Sequence, residues 1–75
     1  MEKKNGKGKE FNKWNNSLLF EGEYLNGKRN GKGKEYFDYN SILKFEGEYL
    51  NGERSGKGKE YYNNGNLEFE GEYLN

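Results

Sequence analysis

The sequence predicts an all-β fold, an elongated single-layer antiparallel β-meander of repeated hairpins with about six strands. Three observations predict it. A block that reads Gly-Lys-Gly-Lys-Glu begins at Gly6, Gly31 and Gly56, a spacing of 25 residues both times. The segments between these blocks alternate in polarity with the period of two that is typical of a strand. Asn-Gly stands between alternating segments, and that pair is the strongest short signal for a hairpin turn.

The six strands are expected, in chain order, at residues 7–13, 18–26, 31–38, 42–51, 56–62 and 67–74. Asn26-Gly27 and the polar residues 28–30 form the first predicted hairpin connection. The polar clusters at 15–17, 38–41 and 63–66 are typical of turns between hairpins. Trp14, the single Trp, is expected to cover the first of these loops. No segment carries apolar residues at helical spacing, so no helix is predicted.

Alternation also predicts two chemically different faces, one aromatic and one charged. A Tyr ring can lie over the bare backbone of a strand glycine in a neighbouring strand, which gives the glycines a structural role. Lys opposite Glu on the charged face contributes about 0.2–1 kcal/mol per exposed pair and is interpreted as register and solubility control. The predicted register pairs Asn26 with Gly31, Tyr24 with Gly33, Phe20 with Phe37 and Glu23 with Lys34.

Composition argues against catalysis. The chain has neither Cys nor His, so it lacks thiolate nucleophiles, the usual neutral-pH acid/base and the commonest metal ligand. No catalytic residue, metal site or cofactor is therefore predicted. The 13 basic and 13 acidic residues balance, which argues against nucleic-acid binding. No signal peptide and no apolar run of about 20 residues is visible, so a cytoplasmic protein is expected.

The segment from Phe20 to Gly33 resembles a MORN repeat: an aromatic, Gly two positions on, a second aromatic, then Gly, a polar turn and Gly-x-Gly. A second match runs from Phe45 to Gly58, with half-matches at both ends of the chain. The strand aromatic is Tyr where many members have Trp, and the repeats are slightly longer than usual in their inter-hairpin loops. One array is expected over residues 1–75, with units 6–30 and 31–55 and a partial unit 56–75, as part of a longer array.

The resemblance implies a scaffold at membranes or the cytoskeleton that dimerises and binds partner peptides in a grooved aromatic face. The function predicted is thus a non-catalytic module for protein–protein interaction or scaffolding, acting through an aromatic groove and open sheet edges. Two alternatives stay open, a phospholipid-binding module and the regulatory repeats of a larger enzyme such as a phosphatidylinositol phosphate kinase. The expected partners are a peptide segment of another protein and further copies of the chain, joined through edges or the aromatic face.

Three sets of site residues follow. Partner binding is predicted on the aromatic face, at Phe20, Tyr24, Phe37, Phe45, Tyr49, Tyr62, Phe69 and Tyr73. The alternative is that these rings only pack on one another. The glycines that define the repeat are Gly22, Gly27, Gly31, Gly33, Gly47, Gly52, Gly56, Gly58 and Gly71. The residues for a weak contact with lipid headgroups are Lys28, Arg29, Lys32 and Lys34.

Overall fold

The computed structural model describes residues 3–74 and confirms the fold class. Six antiparallel strands form one open sheet in the order of the chain, and the described residues contain no helix. The strands are β1 (Gly6–Phe11), β2 (Leu18–Leu25), β3 (Lys28–Tyr36), β4 (Leu43–Leu50), β5 (Glu53–Tyr61) and β6 (Leu67–Tyr73). The molecule is a slab of 40 × 32 × 16 Å. Within the described part of the chain, nothing resembles a helix long and apolar enough to cross a bilayer.

Each Asn-Gly pair closes its hairpin by itself. Asn26 and Gly27 both adopt left-handed backbone angles, with φ of 53° and 84°, which is the geometry of a two-residue type I′ turn. The sequence prediction extended this connection over the three further residues 28–30, and that part is wrong. Because the turn is complete at Gly27, β3 already begins at Lys28, and Arg29 becomes a strand residue rather than a loop residue.

The early start of β3 changes the register. Gly22 pairs with Gly33, Phe20 with Glu35 and Tyr24 with Arg29. A bulge opposite Glu23 accommodates the extra residues of β3, and Gly31 within it has a φ of 103° that a side chain rarely adopts. All four predicted pairs, Asn26–Gly31, Tyr24–Gly33, Phe20–Phe37 and Glu23–Lys34, are therefore wrong.

A row of glycines crosses the sheet. Consecutive strands pair Gly8 with Gly22, Gly22 with Gly33, Gly33 with Gly47, Gly47 with Gly58 and Gly58 with Gly71. On one face, aromatic rings lie against this bare backbone. A Cβ built on Gly33 would lie 2.6 Å from Cε1 of Phe20 and 3.0 Å from Cε1 of Tyr49. Rings over strand glycines were predicted correctly, although the partners differ from those expected.

These rings form the core. Phe20 and Phe45 are fully buried, and Tyr24 and Tyr49 are nearly so. The rings pack edge to face, with 5.3 Å between the centroids of Phe20 and Tyr49. Tyr73 continues the series against Phe45. Edge-to-face packing is the arrangement that the ring quadrupoles favour, so one line of rings ties the strands together.

Backbone contacts also join successive hairpins. The Gly27 amide donates to the Lys4 carbonyl oxygen at 2.9 Å, and the Gly52 amide donates to that of Arg29 at 2.8 Å.

Trp14 takes no part in these contacts. Its side chain is 86% exposed, so the expectation that it covers the first loop is wrong. Asn12 satisfies that loop instead, since its side-chain oxygen accepts from the Trp14 amide at 2.8 Å.

Candidate interaction groove

The face opposite the rings carries a groove of about 1190 Å³ that crosses all six strands. Strand alternation places the neighbours of each row glycine on this face. One row of side chains along it consists of Lys9, Glu21, Lys34, Glu46, Lys59 and Glu70. A second row consists of Lys7, Glu23, Lys32, Glu48 and Lys57. The glycine backbone lies between the two rows and forms the floor. The resemblance implied a groove on the aromatic face, whereas the structure has it here.

The carboxylates of the groove are engaged within the protein. Glu21 accepts from the Tyr36 hydroxyl at 2.7 Å. Glu23 accepts from the Lys32 backbone amide at 2.8 Å. The second hairpin repeats both contacts, with Glu46 accepting from Tyr61 and Glu48 from the Lys57 amide. These hydrogen bonds occupy one oxygen of each carboxylate.

The ammonium groups are engaged less. In the described chain, Lys59 alone among the groove lysines forms an ion pair, with its Nζ 3.9 Å from Glu70 Oε2. Lys7, Lys9, Lys32 and Lys34 form no ion pair there. The groove is lined by six lysines and five glutamates, and the ammonium donors have fewer internal partners than the carboxylates. An anionic group entering the groove therefore finds donors without internal partners.

An apolar row borders the groove along one side. Phe11 pairs with Leu18, Tyr36 with Leu43 and Tyr61 with Leu67. Phe11 lines the groove itself and is 55% exposed, and Leu67 is 51% exposed. The hydrogen bonds of Tyr36 and Tyr61 to groove glutamates place these two rings on the same side as the charged rows. The groove thus offers ammonium groups, bare backbone and apolar side chains next to each other.

On the opposite, aromatic face, polar side chains cover the Phe20 and Phe45 rings. The guanidinium carbon of Arg29 lies 4.1 Å from the Phe20 ring centroid, and that of Arg54 lies 4.2 Å from the Phe45 centroid. Arg29 donates from Nε and Nη2 to the two oxygens of Glu10, at 3.0 and 3.1 Å. Arg54 donates in the same manner to Glu35. Guanidinium groups that are stacked and bidentate in this way cover the rings.

Tyrosine hydroxyls complete this cover. Tyr24 donates to Glu10 at 2.6 Å, Tyr49 donates to Glu35, and the same contact recurs in the last hairpin. The hydrogen bond from Arg29 holds the pKa of Glu10 below its usual range, against the desolvation that raises it. At Glu35 desolvation is the larger influence, yet the bonds from Arg54 and Tyr49 outweigh it and lower the pKa. Burial and a carboxylate partner raise the pKa of Tyr24 and of Tyr49.

The predicted aromatic residues do not all meet. Phe20, Tyr24, Phe45 and Tyr49 form the buried cluster, with Tyr73 against it and Phe69 beside Tyr73. Phe37 lies outside it, after β3, against Tyr39. Tyr62 follows β5 and is 51% exposed. The buried rings pack on one another, as the alternative interpretation held, and partner binding at this face stays a prediction.

The four residues predicted to meet lipid headgroups are placed in three different surroundings. Lys28 is exposed at the start of β3. Arg29 lies on the aromatic face between Glu10 and the Phe20 ring. Lys32 and Lys34 line the groove. The structure therefore does not bring the four into one basic patch.

Sequence reasoning missed the arginine–glutamate series on the aromatic face. Arg29 and Arg54 alternate along it with Glu10, Glu35 and Glu60, and Arg54 also lies 3.5 Å from Glu60. A signal was present, because the two arginines are 25 residues apart in a segment where Lys28 changes to Glu53. An arginine that recurs beside a changing neighbour indicates a specific side-chain contact. The expected four-residue connection concealed it.

In residues 3–74 no group of three or more acidic, His or Cys side chains could hold a metal ion.

A profile of the MORN repeat matches residues 20–38 and 45–67, together more than half of the chain. MORN repeats are generally non-catalytic modules. No curated protein and no solved structure matches the chain. The chain belongs to the MORN-repeat family, as the profile match, the repeated hairpins and the row of paired glycines show.

Proposed function

We propose that the chain is a non-catalytic module that binds a peptide segment of a partner protein in the groove of its lysine and glutamate face. The observation that carries the proposal is the contrast between the two faces. The rings of the aromatic face already contact Arg29 and Arg54, and Phe20 and Phe45 have no exposed surface. The groove has a backbone floor, unpaired ammonium groups and an apolar border.

The dimensions of the groove fit a polymer. Five steps between neighbouring strands give a length of about 24 Å. Its volume of about 1190 Å³ lies above the usual range of about 300–1000 Å³ for small-molecule sites. The same chemical units recur in every hairpin along it, so a ligand with a repeating backbone meets several equivalent contacts. A peptide segment has this property.

The test is selection of peptides from a displayed random library on the immobilised chain, followed by binding measurements on two variants of equal bulk. Lys34→Trp places a large ring in the groove, and Lys44→Trp places the same ring on β4 outside the groove lining. We expect the selected peptides to bind the Lys34→Trp chain at least about tenfold more weakly than the Lys44→Trp chain. Circular dichroism of both variants confirms that each is folded.

Two results would contradict the proposal. One is a library from which no sequence is enriched. The other is equal affinity of the selected peptides for the two variants, which would place the binding surface away from the groove. An equal loss of peptide affinity in both variants, with both folded, would also place the binding surface away from the groove.

A further inference from the structure

The chemistry and spacing of the groove specify its ligand further. We propose that the groove takes an acidic peptide in the polyproline II conformation, with a carboxylate at every third position. This inference rests on the proposed function, because it names the class of peptide that the groove binds. The charge, the lysine spacing and the width of the groove support it.

Charge favours an acidic ligand. Glu21, Glu23, Glu46 and Glu48 each have an oxygen occupied by an internal donor. Among the groove lysines of the described chain, only Lys59 has a carboxylate partner. A basic ligand would have to share carboxylates that already accept an internal hydrogen bond, whereas an acidic ligand would pair with ammonium groups that have no internal partner. Charge-assisted pairs are about twice as strong as neutral hydrogen bonds.

Spacing selects the backbone conformation. The groove lysines come in pairs, Lys7 and Lys9 on β1, Lys32 and Lys34 on β3, and Lys57 and Lys59 on β5. Successive pairs are two strands apart, about 9.4–9.8 Å. A polyproline II helix rises about 3.1 Å per residue with three residues per turn, so every third side chain returns to one face after about 9.3 Å.

Other conformations match less well. In an extended strand, side chains on one face recur at about 6.6 Å and about 13 Å, which brackets the lysine spacing without meeting it. In an α-helix the same face returns after seven residues, about 10.5 Å. The mismatch to the helix accumulates over the two intervals between the three lysine pairs. Three acidic residues of a polyproline II segment meet all three pairs.

The width of the groove supports the narrower ligand. A volume of about 1190 Å³ over a length of about 24 Å gives a mean cross-section of about 50 Å². An α-helix with its side chains is about 10–12 Å across, a cross-section of about 80–110 Å². A helix would stand largely out of the groove, whereas a single extended chain lies within it. The residues between the acids then lie beside Phe11, an apolar side chain that lines the groove.

The test measures binding of synthetic peptides to the intact chain by titration calorimetry. The first peptide is Asp-Pro-Pro-Asp-Pro-Pro-Asp. The second has the same composition with the three Asp adjacent, Pro-Pro-Asp-Asp-Asp-Pro-Pro, and the third replaces Asp by Lys at the original spacing. We expect the first peptide to bind about tenfold more tightly than the second and the third not to bind. A fourfold rise in salt should weaken binding of the first.

Variants with matched charge locate the contact. Lys32→Gln with Lys34→Gln removes one lysine pair, and Lys13→Gln with Lys44→Gln removes the same charge outside the groove lining. The first double variant should lose about tenfold in affinity for the periodic acidic peptide, and the second should lose less than about twofold. The wild-type comparison of peptides needs no variant, so it stands even if a variant folds poorly.

Each of the following outcomes would contradict the inference and would show which part of it is wrong. Equal affinity for periodic and clustered Asp would remove the spacing argument. Tighter binding of the Lys peptide would reverse the charge argument while leaving a peptide-binding groove in place. If the acidic peptides do not bind while library peptides do, the acidic polyproline ligand is wrong and the proposed function stands. Tight binding of anionic phosphatidylserine vesicles without binding of any peptide would overturn both.

Discussion

The guanidinium carbon of Arg29 lies 4.1 Å from the centroid of the Phe20 ring. The same guanidinium donates to both oxygens of Glu10, so one side chain stacks on the core and also neutralises a carboxylate above it. A planar fork can do both at once, whereas an ammonium group cannot. Arg54 repeats the arrangement over Phe45. Together they explain how a single sheet keeps a ring cluster away from water.

Replacement of Arg29 by Lys should therefore destabilise the fold although the charge is kept. We expect a loss of about 1–2 kcal/mol in the free energy of unfolding, from the stacking and from one of the two hydrogen bonds. Urea denaturation followed by circular dichroism measures it. Lys34→Arg, on the groove face, is the control and should change stability by less than about 0.5 kcal/mol. Equal effects of the two changes would contradict this role of Arg29.

The reverse substitution tests, at the first repeat, the other contact of Arg29, that with Tyr49 and Glu35. Lys4 occupies the position 25 residues before Arg29, and its Nζ lies 5.5 Å from the Tyr24 ring centroid. An Arg there is expected to stack on Tyr24 and to reach Glu10, as Arg29 reaches Tyr49 and Glu35. Lys4→Arg should raise the free energy of unfolding by about 0.5–1 kcal/mol. No change, or a loss, would show that the repeat position does not carry the contact.

The glycine row should be intolerant of a methyl group where two rings cover it. A Cβ on Gly33 would lie 2.6 Å from two ring carbons of Phe20, with Tyr49 on the other side. Gly33→Ala should cost about 2–3 kcal/mol, in the upper part of the usual range for overpacking a core. Gly8→Ala on the outer strand meets only the Tyr24 ring, at 3.0 Å, and should cost about 1 kcal/mol or less. Thermal and urea unfolding measure the stability losses of the two variants. A larger loss for Gly8→Ala than for Gly33→Ala would contradict this packing.

Stability should fall at alkaline pH. Burial and the hydrogen bond to Glu21 raise the pKa of Tyr36 to about 12, and burial and the bond to Glu60 raise that of Tyr73 to about 12. The unfolded value is about 10, so the folded chain holds these protons more tightly. The contribution is complete below about pH 10 and is lost as the pH rises from about 10 to about 12. Urea midpoints measured across this range should decline, and a flat profile would contradict the Tyr–Glu contacts.

The acid side has the opposite sign. The pKa values of Glu10 and Glu35 are lowered in the folded chain from an ordinary value of 4.5. Their contribution is therefore present above about pH 4.5 and is lost as the pH falls through the lowered folded values. Replacing Arg54 by Met removes the donor that lowers the pKa of Glu35. The acid-induced decline of that variant should be shallower than that of the wild type.

The sequence predicted much of the fold, because the repeat and the alternation are visible without the structure. It did not predict the register, since Asn26-Gly27 alone closes the turn, whereas the polar residues 28–30 were also assigned to the connection. The register decides which face Arg29 joins, so the cover of the ring cluster was missed with it. Lys32 and Lys34 were recognised as candidates, but for lipid headgroups. Their neighbours across the groove were visible only as surface ion pairs. The groove itself depends on the shape of the sheet, which no local pattern encodes.

Partners are proposed to bind in the groove and not on the aromatic face, and lysine footprinting tests this proposal most directly. Lysines occur both in the groove, as Lys32, Lys34 and Lys57, and outside its lining, as Lys13 and Lys44. The chain is acetylated briefly with and without a saturating library-selected peptide, and mass spectrometry gives the rate at each lysine. If the peptide lies in the groove, acetylation of the groove lysines becomes slower and the rates at Lys13 and Lys44 stay unchanged. Unchanged rates in the groove while the peptide is bound would contradict it.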